Sequence, residues 1–273
     1  MNLRSEHPWF TGLPERYVVA HRGAAGHRPE NTLESFRHAL ELGAHVLEMD
    51  AHLTADGHLV VTHDPTVARV TNRRDPVREV TLQALQSLDA GYRFTADRGG
   101  TYPWRGKGVR IPTLQEVLNE FPDTRMVLEI KPNDPYVANT LAERLNGLDL
   151  RHRILVGSFH DKILSDFRVR APGYATSAGS VETRRLVLRA HAGLARHRTL
   201  PYEALIVPQT WRQIPVATRR VVRQVRALGL HMHVWTVNDP RIMRSLYTLG
   251  VHAMTTDYPD RARAVLKELK GND

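Results

Sequence analysis

The chain has 273 residues, 41% hydrophobic and 25% charged, enough to bury a substantial core as one large α/β barrel or as two smaller domains. It contains no cysteine, which excludes disulfides, thiolate metal sites and a cysteine nucleophile, so every candidate ligand is an oxygen or a nitrogen. The net charge of +9 favours anionic partners, but it is spread along the chain as arginine with no recognition motif or aromatic-basic platform, which argues against nucleic acid.

Met1 to Arg16 lacks the apolar stretch of a secretory signal. No later run approaches the roughly 18 apolar residues of a membrane span, so a cytoplasmic location without stable membrane insertion is expected. A first strand is predicted over Tyr17 to His21. In Asn31-Thr32-Leu33-Glu34 a capping residue stands three positions before a glutamate, so Asn31 reads as the cap of the first helix. Val46 to Leu53 and Leu59 to His63 are the next strands, and the Asp56-Gly57 turn signal between them allows a hairpin. From Pro65 to Pro112 the pattern breaks into one short helix, Leu82 to Leu88, followed by Gly91-Tyr92-Arg93-Phe94 and the Gly/Arg-rich stretch Gly99 to Gly108. That is too long for a simple barrel connection. Leaving just after His63, residues 65–112 are expected to form an inserted cap over the mouth of the fold.

Thr113-Leu114-Gln115-Glu116 repeats the capping pattern. Strands follow at Met126 to Lys131, Ile154 to Phe159, Ala204 to Pro208, Met232 to Val237 and Ala253 to Asp257, with a faint one near Gly173 to Thr176. Asp257, ahead of Tyr258-Pro259, reads as the cap of the last helix. Helical periodicity between most of these strands implies a parallel sheet with crossover helices, closed into a TIM (β/α)8 barrel forming a single domain over 1–273.

Strand side chains alternate faces, so Glu48, Asp50 and His52 point one way, and Glu129 shares a face with Lys131 on a later strand. Inward charges are costly unless paired or bound to a cation. Two readings follow: a buried salt-bridge network with nearby arginines, or a three-carboxylate site for a hard divalent cation such as Mg²⁺ or Ca²⁺, with Mn²⁺ also suited. His52 is read as lining the pocket rather than as a further ligand. His21 and His63 end strand segments and should emerge at one rim, where one imidazole accepts a proton and the other donates. The dispersed His152, His191 and His197 read as ordinary surface or packing residues. Arg22 and Lys131 are placed to meet anionic oxygens of a substrate, or to pair with the carboxylates.

His21-Arg22-Gly23, Pro29-Glu30-Asn31-Thr32, Glu48-Met49-Asp50, Thr54-Ala55-Asp56-Gly57 and His63-Asp64 occur in one order at close spacing, followed by Leu128-Glu129-Ile130-Lys131, Ser158-Phe159, Trp235-Thr236-Val237-Asn238 and Thr256-Asp257. Together they resemble the glycerophosphodiester phosphodiesterase family from about Tyr17 onward. The resemblance implies a barrel with an insertion after the second strand region, a metal on Glu48, Asp50 and Glu129, and His21 and His63 as catalytic residues. It further implies hydrolysis of a small-molecule glycerophosphodiester to sn-glycerol 3-phosphate and an alcohol, through a cyclic phosphate. Trp235 and Phe159 are candidate substrate contacts or rim aromatics. A lysophospholipase D-like activity is the rival substrate reading, with Tyr92, Phe94, Tyr102 and Trp104 as an apolar lid or simply as loop packing. A non-catalytic phosphate- or lipid-binding barrel is the rival from another class. The oligomeric state, the leaving alcohol and the histidine that acts first as base are not fixed by the sequence.

Overall fold

Runs of β-branched and aromatic residues such as Tyr17-Val-Val-Ala20 form strands buried on both faces, as expected for parallel strands with helices outside and a filled interior. The computed structural model describes residues 7–195, 200–212 and 214–271; the start of the N-terminal segment and His197 lie outside them. The elements are β1 (Tyr17–Ala20), α1 (Leu33–Glu41), β2 (Val46–Leu53), β3 (Leu59–Val61), α2 (Leu82–Gln86), α3 (Leu114–Glu120), β4 (Arg125–Ile130), α4 (Pro135–Asn146) and β5 (Ile154–Gly157). They continue with α5 (Asp161–Arg170), β6 (Ala175–Thr176), α6 (Ser180–Ala192), β7 (Ala204–Pro208), β8 (Thr210–Trp211), β9 (Ile214–Pro215), α7 (Arg219–Ala227), β10 (His231–Trp235), α8 (Pro240–Thr248), β11 (Ala253–Thr256) and α9 (Pro259–Gly271).

Eight parallel strands run in the order β6-β5-β4-β2-β1-β11-β10-β7. The ring closes where Ser177, just past β6, bridges Ala204 in parallel. Glu203 N donates to Thr176 O at 3.0 Å and Ala178 N to Ala204 O at 2.8 Å across that seam. The faint strand near Gly173 to Thr176 is thus the two-residue β6. Leu59 to His63 instead forms the hairpin allowed by Asp56-Gly57: β3 pairs antiparallel with the end of β2, Ala51 opposite Val61. The chain therefore turns back, and Thr62 N donates to Asp50 O, bringing His63 to the level of the carboxylates.

The inward positions form layers. Tyr17, Val19, Val46, Val127, Leu155, Ala175, Ala204 and Ala253 cluster with Trp9 and Phe10. Trp9 Nε1 donates to Met126 O at 3.2 Å and Arg153 O at 3.0 Å, tying the N-terminal segment across the foot of the barrel. One inward position beyond Val46 and Val127 stand Glu48 and Glu129, and Asp50 is one further along β2. A larger apolar cluster including Phe36, Leu47, Met49, Leu128 and Leu141 fills one side between strands and outer helices, and a second around Val207, Val225, Met232 and Tyr247 fills the other. Between β3 and α3 the chain carries α2 and two short 3₁₀ turns, Val67–Arg69 and Val77–Glu79, around a small core of Val60, Val67, Val77, Leu85, Val109 and Ile111. Among the described residues no helix is long and apolar enough to cross a membrane.

Candidate active site

Register sets the first pair of carboxylates: β2 lies parallel to β4 with Asp50 opposite Glu129, both on the inward face. Glu48 is two residues back on β2, and ligand atoms of the three carboxylates lie within 4.8 Å of one another. Lys131 Nζ sits 3.1 Å from Asp50 Oδ1 and 2.9 Å from Glu129 Oε1. These contacts are ionic without directed hydrogen bonds, since neither oxygen accepts one although both are buried. Arg22 Nε is 3.3 Å from Asp50 Oδ2. Of the two expectations for these cations, pairing with the carboxylates is the one observed, for Arg22 and Lys131 alike.

Three carboxylates, Glu48 and Asp50 buried and Glu129 partly so, share these two cations, and the balance is visible in their proton affinities. Burial, and then the neighbouring Asp50 charge, push Glu48 up. Burial also raises Glu129 despite Lys131. Asp50 is held low because Lys131 and Arg22 outweigh its own burial. A cluster of hard oxygens with residual negative charge and two buried oxygens lacking hydrogen bonds fits a divalent cation of the Mg²⁺, Ca²⁺ or Mn²⁺ type.

The turn after β1 is strained in a useful way. Arg22 has φ 51° and Gly23 φ 83°, and a Cβ on Gly23 would lie 2.7 Å from the carbonyl carbon of Ser35. This left-handed turn aims the Arg22 backbone N–H at Glu48 Oε2, 2.9 Å away. Asn31, at φ 55°, donates from Nδ2 to Asp50 Oδ2 at 2.8 Å. The expectation that Asn31 caps the first helix is corrected: Thr32 is the cap, its Oγ1 accepting from Ser35 N at 3.2 Å. The second box is as expected, with Thr113 and Glu116 bonded reciprocally.

Each histidine is held by an aspartate. His21 Nδ1 donates to Asp257 Oδ1 at 2.6 Å, and Asp257 Oδ2 accepts from Asn238 Nδ2 at 2.7 Å. Asp257 was expected to cap the last helix; its carboxylate is instead engaged with His21 and Asn238. His63 Nδ1 donates to Asp64 Oδ1 at 2.5 Å. A carboxylate can only accept, so in both rings Nδ1 carries the proton and Nε2 is left for exchange. Burial lowers His21, but the Asp257 hydrogen bond and the Glu48 charge outweigh it and the net shift is upward. His63 is shifted down, because burial outweighs Asp50 and Asp64. His52 Nε2 donates to His63 O, 3.0 Å away, bracing the loop rather than joining the carboxylates.

An ion-pair chain ties the segment after His63 to the site. Arg69 Nε donates to Asp64 Oδ2 at 2.6 Å and its guanidinium also grips Glu30, which pairs with Arg22 Nη1 at 3.0 Å. Sequence reasoning missed Arg69 and Glu30 in this role, since nothing in their local spacing marks a contact across 39 positions. Asp257 left a signal that was overlooked: Ala253, Thr255 and Asp257 share one strand parity, and Ala253 faces inward. Trp235 and Phe159 meet edge to face at 5.7 Å, and Lys131 Nζ lies 5.8 Å from the Phe159 ring, so both aromatics share the rim with the charged cluster.

The chain is similar to known proteins over most of its length. Residues 21–261 match the model of the glycerophosphoryl diester phosphodiesterase family. A glycerophosphodiester phosphodiesterase of Caldanaerobacter subterraneus subsp. tengcongensis is 32% identical over 252 residues, 89% of this chain and 94% of the relative. The human lysophospholipase D GDPD1 is 25% identical over 91% of this chain and 85% of its own. A solved Oleispira antarctica phosphodiesterase, in complex with the product sn-glycerol-3-phosphate, superposes with a TM-score of 0.76 at 26% identity, covering 96% of this chain and all of that one (100%). The chain belongs to the glycerophosphoryl diester phosphodiesterase family and is an enzyme of the phosphoric diester hydrolase class.

Proposed function

We propose that the protein hydrolyses glycerophosphodiesters to sn-glycerol 3-phosphate and an alcohol, with a divalent cation on Glu48, Asp50 and Glu129 and with His21 and His63 as its acid-base pair. The observation that carries this reading is the carboxylate cluster between two histidines, each with Nδ1 fixed by an aspartate and Nε2 open. When bound, Mg²⁺, Ca²⁺ or Mn²⁺ supplies Lewis-acid neutralisation of phosphate charge. Arg22 and Lys131 add fixed positive charge for the non-bridging oxygens, and Trp235 and Phe159 border the glycerol. His63, the ring with the lower proton affinity, removes the proton of the glycerol hydroxyl next to the ester. That oxygen attacks phosphorus, the bond to the alcohol oxygen breaks, and His21 protonates the departing alcohol. The histidines then exchange roles as water opens the cyclic phosphate. Residues 1–273 act in this reading as one barrel domain, with residues 65–112 as its cap, a role supported by Arg69 gripping Asp64 and Glu30.

A chelator-sensitive diesterase assay on the wild type, His21→Ala and Glu48→Ala tests it. Each variant should lose at least about 10²-fold in turnover, the ordinary scale for an acid-base group; unchanged turnover in both would end the proposal. A second substrate reading has one observation in its favour. Phe94, Pro103 and Trp104 line a cavity of about 680 Å³ with Arg28 and Lys107, room for part of an acyl chain, and the human relative is named a lysophospholipase D. Tyr92 and Tyr102 do not contribute to it, since they hold Arg105 between their rings at 4.1 Å each. Choline release from glycerophosphocholine against lysophosphatidylcholine separates the two substrates.

A further inference from the structure

Asn31 is 3% exposed, and among the described residues its side chain has a single hydrogen-bond partner, Asp50 Oδ2. The two ends of an amide are usually hard to tell apart, but here the choice is forced. Asp50 is ion-paired with Arg22 through Oδ2 and with Lys131 through Oδ1, so it is a carboxylate with no proton to donate, and the amide atom meeting it must be the NH₂ group. The carbonyl oxygen Oδ1 is therefore left over. It is fully buried and accepts no hydrogen bond among the described residues. An amide's nitrogen and oxygen are about 2.3 Å apart from their bond lengths, so with Nδ2 at 2.8 Å from Asp50 Oδ2, Oδ1 lies no more than about 5 Å from that oxygen.

We propose that Asn31 Oδ1 is a fourth protein oxygen for the divalent cation held by Glu48, Asp50 and Glu129. This rests on the cation reading above and extends it to a residue outside the carboxylate set. A neutral carbonyl oxygen is an ordinary ligand for a hard cation, and it completes the set without adding a further negative charge to a cluster already short of cations. It also accounts for the residue type. Asparagine tolerates φ 55° better than most side chains, aspartate would repel Asp50, and glutamine would carry its oxygen further from the backbone. The one amide then does two things, fixing the Asp50 carboxylate with its nitrogen and meeting the ion with its oxygen.

Mn²⁺ binding to the full chain, followed by calorimetry and by the paramagnetic resonance of the free ion, tests the assignment. Asn31→Gly is the informative variant, because glycine adopts the left-handed conformation freely and only the amide is lost. Mn²⁺ affinity should fall by about 10- to 100-fold, the scale for groups that tune a metal site. In crystals of the Mn²⁺-loaded wild type, Oδ1 should lie within about 2.0–2.6 Å of the anomalous peak, the range for oxygen on such cations. Mn²⁺ affinity of Asn31→Gly within twofold of wild type, or an Oδ1 outside coordination distance in the loaded wild type, overturns the assignment. The crystallographic arm needs no variant, so it stands even if Asn31→Gly does not fold. A wild type that binds no Mn²⁺ at all overturns the cation site itself, and is thereby distinguished from failure of Asn31 alone.

Discussion

His21 and His63 differ in what holds their protons, and that difference sets a pH signature. His63 lies below the ordinary histidine range, so it is neutral and able to accept a proton at pH values where an exposed histidine is still partly charged. His21 lies above that range and keeps its proton for longer as pH rises. Rate should therefore rise as pH climbs through the His63 value and fall as it climbs through the His21 value, giving a bell in kcat/KM. Asp257→Asn removes a charge that raises His21 and loosens its tautomer. It should cost about 10²- to 10⁴-fold in kcat, as for other histidine-orienting aspartates, and move the alkaline limb to lower pH with little change in KM. An unmoved limb would show that Asp257 only packs the loop. The histidines and carboxylates were legible in the sequence because strand parity and strand-end position mark them. Asn31 was not, because it stands where a helix cap is expected and local spacing cannot tell an oxygen that caps a helix from one that reaches across the barrel; Asp257 stands at such a position too, and only its strand parity with Ala253 marks it as inward.

At the scale of elements, the turn between β1 and α1 does more for the site than either neighbour. Gly23→Ala forces φ 83° on an L side chain and drives its Cβ against the Ser35 backbone. A loss of roughly 1–3 kcal/mol in stability is expected from such strain, with turnover falling further because the Arg22 N–H no longer addresses Glu48; denaturant melts paired with kcat read both. Thr32→Ala removes the α1 cap and should cost about 1 kcal/mol, with turnover per folded molecule preserved. Equal loss of activity in both variants would deny the turn its special place. Long strands and the boxed helix at Thr113 were readable because propensity, capping and burial agree over many residues. The two-residue strands β6, β8 and β9 and the 3₁₀ turns are too short to carry a period, so tertiary pairing alone defines them.

For the molecule as a whole, the layering of the barrel separates chemistry from support. At the foot, His231, His233 and His252 cluster around Tyr17 and Phe10, with Tyr17 Oη 2.7 Å from His233 Nε2 and Phe10 stacked on His231 at 3.8 Å. Burial, reinforced by Arg226, holds His231 down to about 4; burial, reinforced by His231, holds His233 down to about 3. Unfolded, both would take up protons near the ordinary 6.5. Between 6.5 and about 4 the unfolded chain therefore binds more protons than the folded one, and stability falls as pH falls through that window. Tm should decline from pH 7 to pH 4.5, and His231→Phe should flatten part of the slope; a Tm independent of pH there would contradict it. The barrel was foreseeable from alternating strands and helices, while this histidine floor was not, because His231 and His233 on β10 meet His252, just ahead of β11, only through the pairing of those two strands. Trp9, bonded to Met126 O and Arg153 O, plugs that floor together with Phe10. Nothing can pass through the bottom, so arrival and departure share one doorway. On the proposed course, an alcohol that lingers there can re-add to the ring before water does, and isotopically labelled alcohol supplied in excess should be traded into unreacted diester.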